Sequence, residues 1–140
     1  MQAAEKSQKL EENRKRIIAE LTARMKEARA GKTESASGSG EFFALLWEAL
    51  LLFQNYPFYT SQKLEFIYTI RGNEMFISRK GKSITRATVN VALKKALELQ
   101  NAGVPISGPK KLGCFGASYL YPVFIHLGVI SQKGEENADT

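Results

Sequence analysis

The sequence has few of the residues that build catalytic, metal-binding and disulfide sites. It contains one cysteine, one histidine and one aspartate, which are Cys114, His126 and Asp139. Hydrolytic and acid–base sites need paired acids, a histidine base or a set of metal ligands. We therefore expect no enzyme activity, no catalytic residue, no metal and no cofactor. A small secreted chain more often carries paired cysteines, so the single cysteine favours an intracellular location, in the cytoplasm, nucleus or nucleoid.

Long apolar runs are also missing. Residues 3–30 are heavily charged and lack the apolar region of a signal peptide. The most apolar stretch, from Phe42 to Phe53, is 12 residues long and contains Glu48. A helix that crosses a bilayer needs about 20 predominantly apolar residues. The sequence therefore predicts no membrane association.

Positive charge, in contrast, is abundant and unevenly distributed. The formal net charge is +6, and nine Lys and Arg residues but two acidic residues lie between residues 71 and 111. Such a concentration is a candidate footprint for a polyanion. A solvated basic face that keeps the protein soluble explains the charge balance about as well, so the charge alone leaves both interpretations open.

Changes in composition along the chain predict four segments. Residues 1–30 contain no Gly or Pro and are rich in Glu, Lys, Arg and Ala, which predicts a long, charged amphipathic helix. Its narrow apolar stripe indicates either a helix that joins a homodimer or partner protein through residues 3–30, or a solvated extension. Residues 31–40 have the composition of a flexible linker. Residues 41–130 are expected to form the globular domain, and residues 131–140 a disordered tail.

The globular segment is predicted to be a small α+β domain, mainly helical, with one antiparallel β-hairpin. Residues 41–54 are apolar on nearly every face, which predicts a buried helix. The alternative is a helix that exposes an apolar face to a partner. The hairpin is predicted in residues 64–79, where Gly-Asn suits a type II′ turn and pairs Arg71 with Glu74.

Helix signals continue after the hairpin. A helix over residues 84–100 is predicted, capped by Ser83 or Thr85. One short helical turn, PKKL, follows over residues 109–112. A last helix begins either near Ser118 or at Tyr121 or Pro122, because proline suits a first helical turn and breaks an interior one.

The arrangement from residue 84 to residue 130 resembles a helix-turn-helix domain. It has a supporting helix, a short second helix, a Gly-bearing turn at 113–116, a third helix and a closing Leu-Gly-Val-Ile. The resemblance implies that a recognition helix starts within residues 116–121 and faces a DNA groove. The residues at that start are Gly116, Ala117, Ser118, Tyr119 and Tyr121.

A second stretch, TRATVNVALKKAL at residues 85–97, looks like the recognition helix of winged-helix repressors. Arg86, Asn90 and Lys94 are aligned along one flank of this helix, at i, i+4 and i+8. The resemblance implies that these three residues meet DNA. Arginine to guanine and asparagine to adenine are the natural bidentate pairs.

These patterns lead to the hypothesis of a nucleic-acid-binding domain, DNA rather than RNA, in a transcriptional regulator or accessory factor. The basic residues would contact phosphates, and two tyrosines could stack on bases. The alternative is a protein–protein interaction module that docks through the N-terminal helix and the 41–54 helix. The expected nucleic-acid contacts are Arg79, Lys80, Lys82, Arg86, Asn90, Lys94, Lys95, Lys110, Lys111, Ser118, Tyr119 and Tyr121.

Overall fold

The structure, a computed structural model, describes residues 2–29, 35–79 and 81–130, with side chains for residues 8–26, 40–79 and 81–130. It confirms a small α+β domain with a long N-terminal helix. The elements are α1 (Gln2–Arg29), α2 (Ser35–Leu52), β1 (Phe58–Tyr59), β2 (Glu65–Phe66), β3 (Tyr68–Arg71), β4 (Glu74–Ile77), β5 (Ser83–Thr85), α3 (Arg86–Asn101), a 3-10 helix (Pro109–Leu112) and α4 (Ala117–His126). None of the described helices is both long enough and apolar enough to cross a bilayer.

Helix α1 packs along α2 and shares its core, which corrects the prediction of a separate extension. Ile17, Leu21 and Met25 repeat every four residues, lie on one face and are buried. Helix α2 begins at Ser35. Residues 35–40 are thus the first turns of a helix rather than a flexible linker, because the strongly apolar continuation outweighs the weak helix propensity of Gly and Ser. Residues 30–34 and the predicted tail 131–140 lie outside the described residues.

The hairpin register is confirmed, but the sheet is larger than one hairpin. Strands β3 and β4 pair Arg71 with Glu74 and Tyr68 with Ile77. Strand β5 adds a third strand beside β4, and β1 pairs with β2 in a separate two-stranded ribbon. These additional strands have two or three residues each, too few for an alternating apolar pattern to reveal them.

Local turn chemistry sets the ends of the later helices. The Thr85 hydroxyl caps α3 by accepting from the Thr88 amide at 3.2 Å. Of the two predicted starts for the last helix, the earlier is correct, because α4 begins at Ala117 with Pro122 inside it. Gly116, at φ 77°, precedes α4, and a Cβ there would stand 2.5 Å from Ile84 Cδ1. A side chain at this position would displace the buried Ile84, and the positive φ also favours glycine.

Side chains from two other elements cap the C-terminus of α2. Arg14 Nε of α1 donates to the Leu52 carbonyl oxygen at 2.7 Å, and its guanidinium lies 5.1 Å from the centre of the Phe53 ring. The Tyr68 hydroxyl of β3 donates to the Leu50 carbonyl oxygen at 2.6 Å. The last carbonyls of a helix have no intrahelical partner, and a cation is stabilised at this negative end. Arg14 and Tyr68 therefore bind α1 and the sheet to the same helix end.

An aromatic cluster surrounds that helix end and reaches α4. The His126 ring lies 5.3, 5.1 and 5.5 Å from the ring centres of Phe53, Tyr56 and Phe58. Partial burial, with a smaller contribution from the Arg14 guanidinium, lowers the pKa of His126 below 6.5. The histidine is therefore a packing residue that is neutral at pH 7.

We expect Arg14→Met to destabilise the fold by about 1.5–3 kcal/mol, because it removes charged hydrogen bonds and keeps the apolar stem. Arg16→Met is the matched control. Its guanidinium donates to Asn13 Oδ1 in an exposed contact, so its effect should stay within about 0.5 kcal/mol. Urea unfolding followed by circular dichroism measures both values. Equal effects of the two substitutions would contradict the capping role.

A second prediction concerns pH. Because the pKa of His126 is lowered in the folded state, the unfolded chain binds a proton more readily below about pH 6.5. Wild-type stability should therefore fall further than that of His126→Gln as pH drops from about 7.5 to about 5. Thermal unfolding of both proteins at several pH values tests this. Because both contain the same carboxylates, the difference between their stability curves reports the histidine alone. Parallel curves would show that the histidine has no such linkage.

Candidate nucleic-acid interface

The turn between β4 and β5 brings two predicted phosphate contacts together. The Ile77 amide donates to the Lys82 carbonyl oxygen at 2.8 Å, and the Lys82 amide donates to the Arg79 carbonyl oxygen at 3.3 Å. In such a tight turn the first and fourth Cα atoms are within about 7 Å. Arg79 and Lys82 thus project from one end of the sheet. Lys80 lies outside the described residues.

The start of α4 and the 3-10 helix stand against this turn. Lys82 Nζ lies 5.2 Å from the ring centre of Phe115. Arg79 lines a shallow concave surface together with Pro109, Ser118 and the loop 60–64. Lys110 and Lys111 follow Pro109 in the 3-10 helix and are exposed. We call this region the basic surface; it comprises Arg79, Lys82, Lys110, Lys111, Phe115 and Ser118.

Carboxylates are absent from the lining of the concave part. The lining side chains come from Thr60, Ser61, Gln62, Leu64, Arg79, Pro109, Ser118 and Tyr119. In the neighbouring strand, Glu65 Oε1 accepts from the Tyr59 hydroxyl at 3.2 Å. Among the described side chains, the ion pair that forms is Arg24 with Glu41 between α1 and α2, at 3.6 Å. The cations of the basic surface are thus without ion-pair partners in this part of the chain, and their charge is available to a polyanion.

The predicted contacts on α3 do not join the basic surface. Arg86 leaves β5 beside the β3–β4 turn, where its amide donates to the Asn73 carbonyl oxygen at 2.8 Å. Its guanidinium lies 5.3 and 5.1 Å from the ring centres of Phe43 and Trp47 of α2. Because β5 runs between Lys82 and Arg86, about 10 Å of strand separates the two residues.

The remaining predicted contacts on α3 differ in exposure and direction. Asn90 is half-buried, whereas Lys94 is exposed on the same flank as Arg86 and Asn90. Lys95 is also exposed, about 100° further around the helix axis than Lys94. The alignment of Arg86, Asn90 and Lys94 is therefore present, but it begins with an arginine that packs on aromatic rings of its own chain.

The two tyrosines predicted to stack on bases both make contacts within the fold. Tyr119 is 9% exposed, and its ring centre lies 5.1 Å from that of Phe66. The half-buried Tyr121 donates its hydroxyl to the Ile106 carbonyl oxygen at 3.2 Å, and burial raises its pKa. Tyr119 faces the core, whereas Tyr121 leaves the helix axis about 200° further around. Ser118 remains exposed at the basic surface.

Phe115 is the feature that the sequence reasoning missed. It is 58% exposed, the highest value among the described large apolar residues. It stands between Gly113 and Gly116, and a lone aromatic side chain in a Gly-rich, basic connector is the signal that could have identified it. Its neighbour Cys114 is half-buried, and burial raises the pKa of the thiol. The Cys114 thiol is therefore protonated and unreactive at neutral pH.

The helix-turn-helix resemblance stays a prediction. A 3-10 helix of four residues stands in the position of its second helix. As a separate observation, no three His, Cys, Asp or Glu side chains are grouped to hold a metal ion within the described ranges. Comparison with protein-family models, with curated proteins and with solved structures finds no match for the chain.

Proposed function

We propose that the chain binds nucleic acid, DNA in the first place, through the basic surface. The observation that carries this proposal is the convergence of the 79–82 turn, the 3-10 helix and the start of α4, with Arg79 and Ser118 lining one concavity that has no carboxylate. The turn supplies Arg79 and Lys82, and the 3-10 helix supplies Lys110 and Lys111 next to Pro109, which lines the concavity. Clustered cations without ion-pair partners are the electrostatic footprint of a phosphate-binding surface.

Each member of the basic surface has a role that follows from its chemistry. The Arg79 guanidinium is planar and suits bidentate hydrogen bonds to a phosphate in the concavity. Lys82, Lys110 and Lys111 supply point charges around it. The Ser118 hydroxyl lies in the first turn of α4, where the helix dipole also favours an anion. These contacts position a backbone and do not read its bases.

The wider interpretation is a DNA-binding regulator or accessory factor, which implies an intracellular location. No catalytic step is part of the proposal. The alternative, a protein-interaction module that docks through α1 and α2, has less support. Ile17, Leu21 and Met25 of α1 are buried in the shared core together with Phe42, Leu46, Trp47, Ala49 and Leu50 of α2. Leu51, at 43%, is the exposed large apolar residue among the described residues of α2.

Salt dependence tests the proposal. Four phosphate contacts, from Arg79, Lys82, Lys110 and Lys111, should give a log–log slope of affinity against salt of about −3 to −4. The double substitution Lys110→Ala with Lys111→Ala should weaken binding about tenfold or more near 50 mM salt and reduce the slope by about 1.5–2. Fluorescence anisotropy with labelled DNA, both duplex and single-stranded, measures affinity and slope.

The matched control is Lys9→Ala with Lys26→Ala on α1, which removes the same charge from two exposed positions. It should leave most of the affinity and the slope in place. Failure to bind either form of DNA at about 50 mM salt would refute the proposal. Equal losses in the two double variants would show that net charge, not the basic surface, drives binding.

A further inference from the structure

We infer that the ligand of the basic surface is a single-stranded polynucleotide, and that Phe115 is the platform on which one of its bases stacks. This inference rests on the proposed function and names the form of nucleic acid. It is carried by the juxtaposition of the most exposed aromatic ring of the described chain with Lys82, which lies in the same tight turn as Arg79. Sites for single strands combine these two elements, a cationic path for the backbone and an aromatic face for the bases.

An isolated exposed apolar residue needs no explanation, so the surroundings of Phe115 decide its meaning. Lys82 Nζ stands 5.2 Å from the centre of the ring, and the ring is still 58% exposed. The same turn carries Arg79 into the concavity beside Ser118. A strand whose phosphates meet Arg79 and Lys82 would therefore bring a base to Phe115 without any movement of the chain.

The loop that carries Phe115 is held on both sides. Before it, the Gly113 amide donates to the Lys110 carbonyl oxygen at 3.1 Å; after it, the Ala117 amide donates to the Cys114 carbonyl oxygen at 3.3 Å. The close approach of Gly116 to Ile84 fixes the loop against β5. A ring presented by an ordered loop loses little conformational entropy when a base stacks on it, which favours binding.

Duplex DNA fits this surface less well. Base faces inside a duplex are stacked on one another, and exposing one of them breaks its stacking and its base pair. Reading a duplex instead requires a helix or a two-stranded β-ribbon whose polar side chains reach base edges in the major groove. Here the first turn of α4 packs Tyr119 into the core, and Arg86 lies on Phe43 and Trp47. The free ring therefore suits bases that are already unstacked.

The test compares a labelled oligo-dT of about 12 nucleotides with a duplex of the same length, using wild type and Phe115→Ala. We expect the wild type to bind oligo-dT about tenfold more tightly than the duplex. Phe115→Ala should weaken oligo-dT binding about tenfold, leave duplex binding within about twofold and leave the salt slope unchanged, because the ring neutralises no phosphate. Oligo-U of equal length shows whether DNA or RNA is preferred, and tight binding of either supports the inference.

Two further variants separate stacking from a general loss of structure. Phe115→Trp should restore the affinity for oligo-dT. Oligo-dT should quench the fluorescence of the introduced indole and not that of Trp47, because Trp47 is buried in the core. Val91→Ala is the control, since Val91 is 53% exposed on α3, an element outside the basic surface. It should bind oligo-dT like the wild type.

The outcomes distinguish this inference from the proposed function. Tighter binding of the duplex, or equal oligo-dT affinities for Phe115→Ala and Val91→Ala, would overturn the single-strand inference while the lysine substitutions still support a nucleic-acid surface. Failure of the wild type to bind oligo-dT, oligo-U and duplex would overturn both.

Discussion

The capped C-terminus of α2 is the interaction on which the rest of the fold depends. Three of its carbonyl oxygens accept from side chains: Leu50 from Tyr68, Leu51 from Gln54 Nε2, and Leu52 from Arg14. Gln54 also accepts from the Ile70 amide at 2.7 Å, which joins the same helix end to β3. Unpaired buried carbonyls would cost about 1–3 kcal/mol each. Helix α1 and the sheet are therefore held to α2 by polar contacts as well as by apolar packing.

The basic surface is positioned from this helix end through contacts between aromatic rings. Phe58 in β1 lies 5.9 Å from Phe66, centre to centre, and Phe66 lies 5.1 Å from Tyr119 in α4. These contacts set the β1–β2 ribbon, and with it the 60–64 loop, against the start of α4. The packing of Tyr119 on Phe66 thus holds Ser118 and Arg79 in one concavity, which Tyr119 also lines. Aromatic pairs of this kind add about 0.5–1.5 kcal/mol beyond their buried area.

Features governed by neighbouring residues could be predicted from the sequence, and features governed by distant contacts could not. The register across Gly72-Asn73, the Thr85 cap and the turn at Pro109 depend on local turn chemistry, and all three predictions are confirmed. The docking of α1 was missed because it depends on Arg14 reaching a carbonyl 38 residues away. The predicted nucleic-acid contacts fall into two separate groups, one on the basic surface and one on α3, for the same reason. The types of residue were recognisable, but periodicity along α3 cannot show that Arg79 meets Ser118 while Arg86 lies at the other end of β5.

A titration of the isotopically labelled protein with oligo-dT, followed by amide chemical shifts, tests the central claim most directly. The claim is that ligand contact is confined to the turn, the 3-10 helix and the start of α4. The account predicts the largest shifts at Arg79, at Lys82 and across residues 110–118, with little change in α1 or along the outer face of α3. Shifts concentrated at Arg86, Asn90 and Lys94, or on α1, would contradict it.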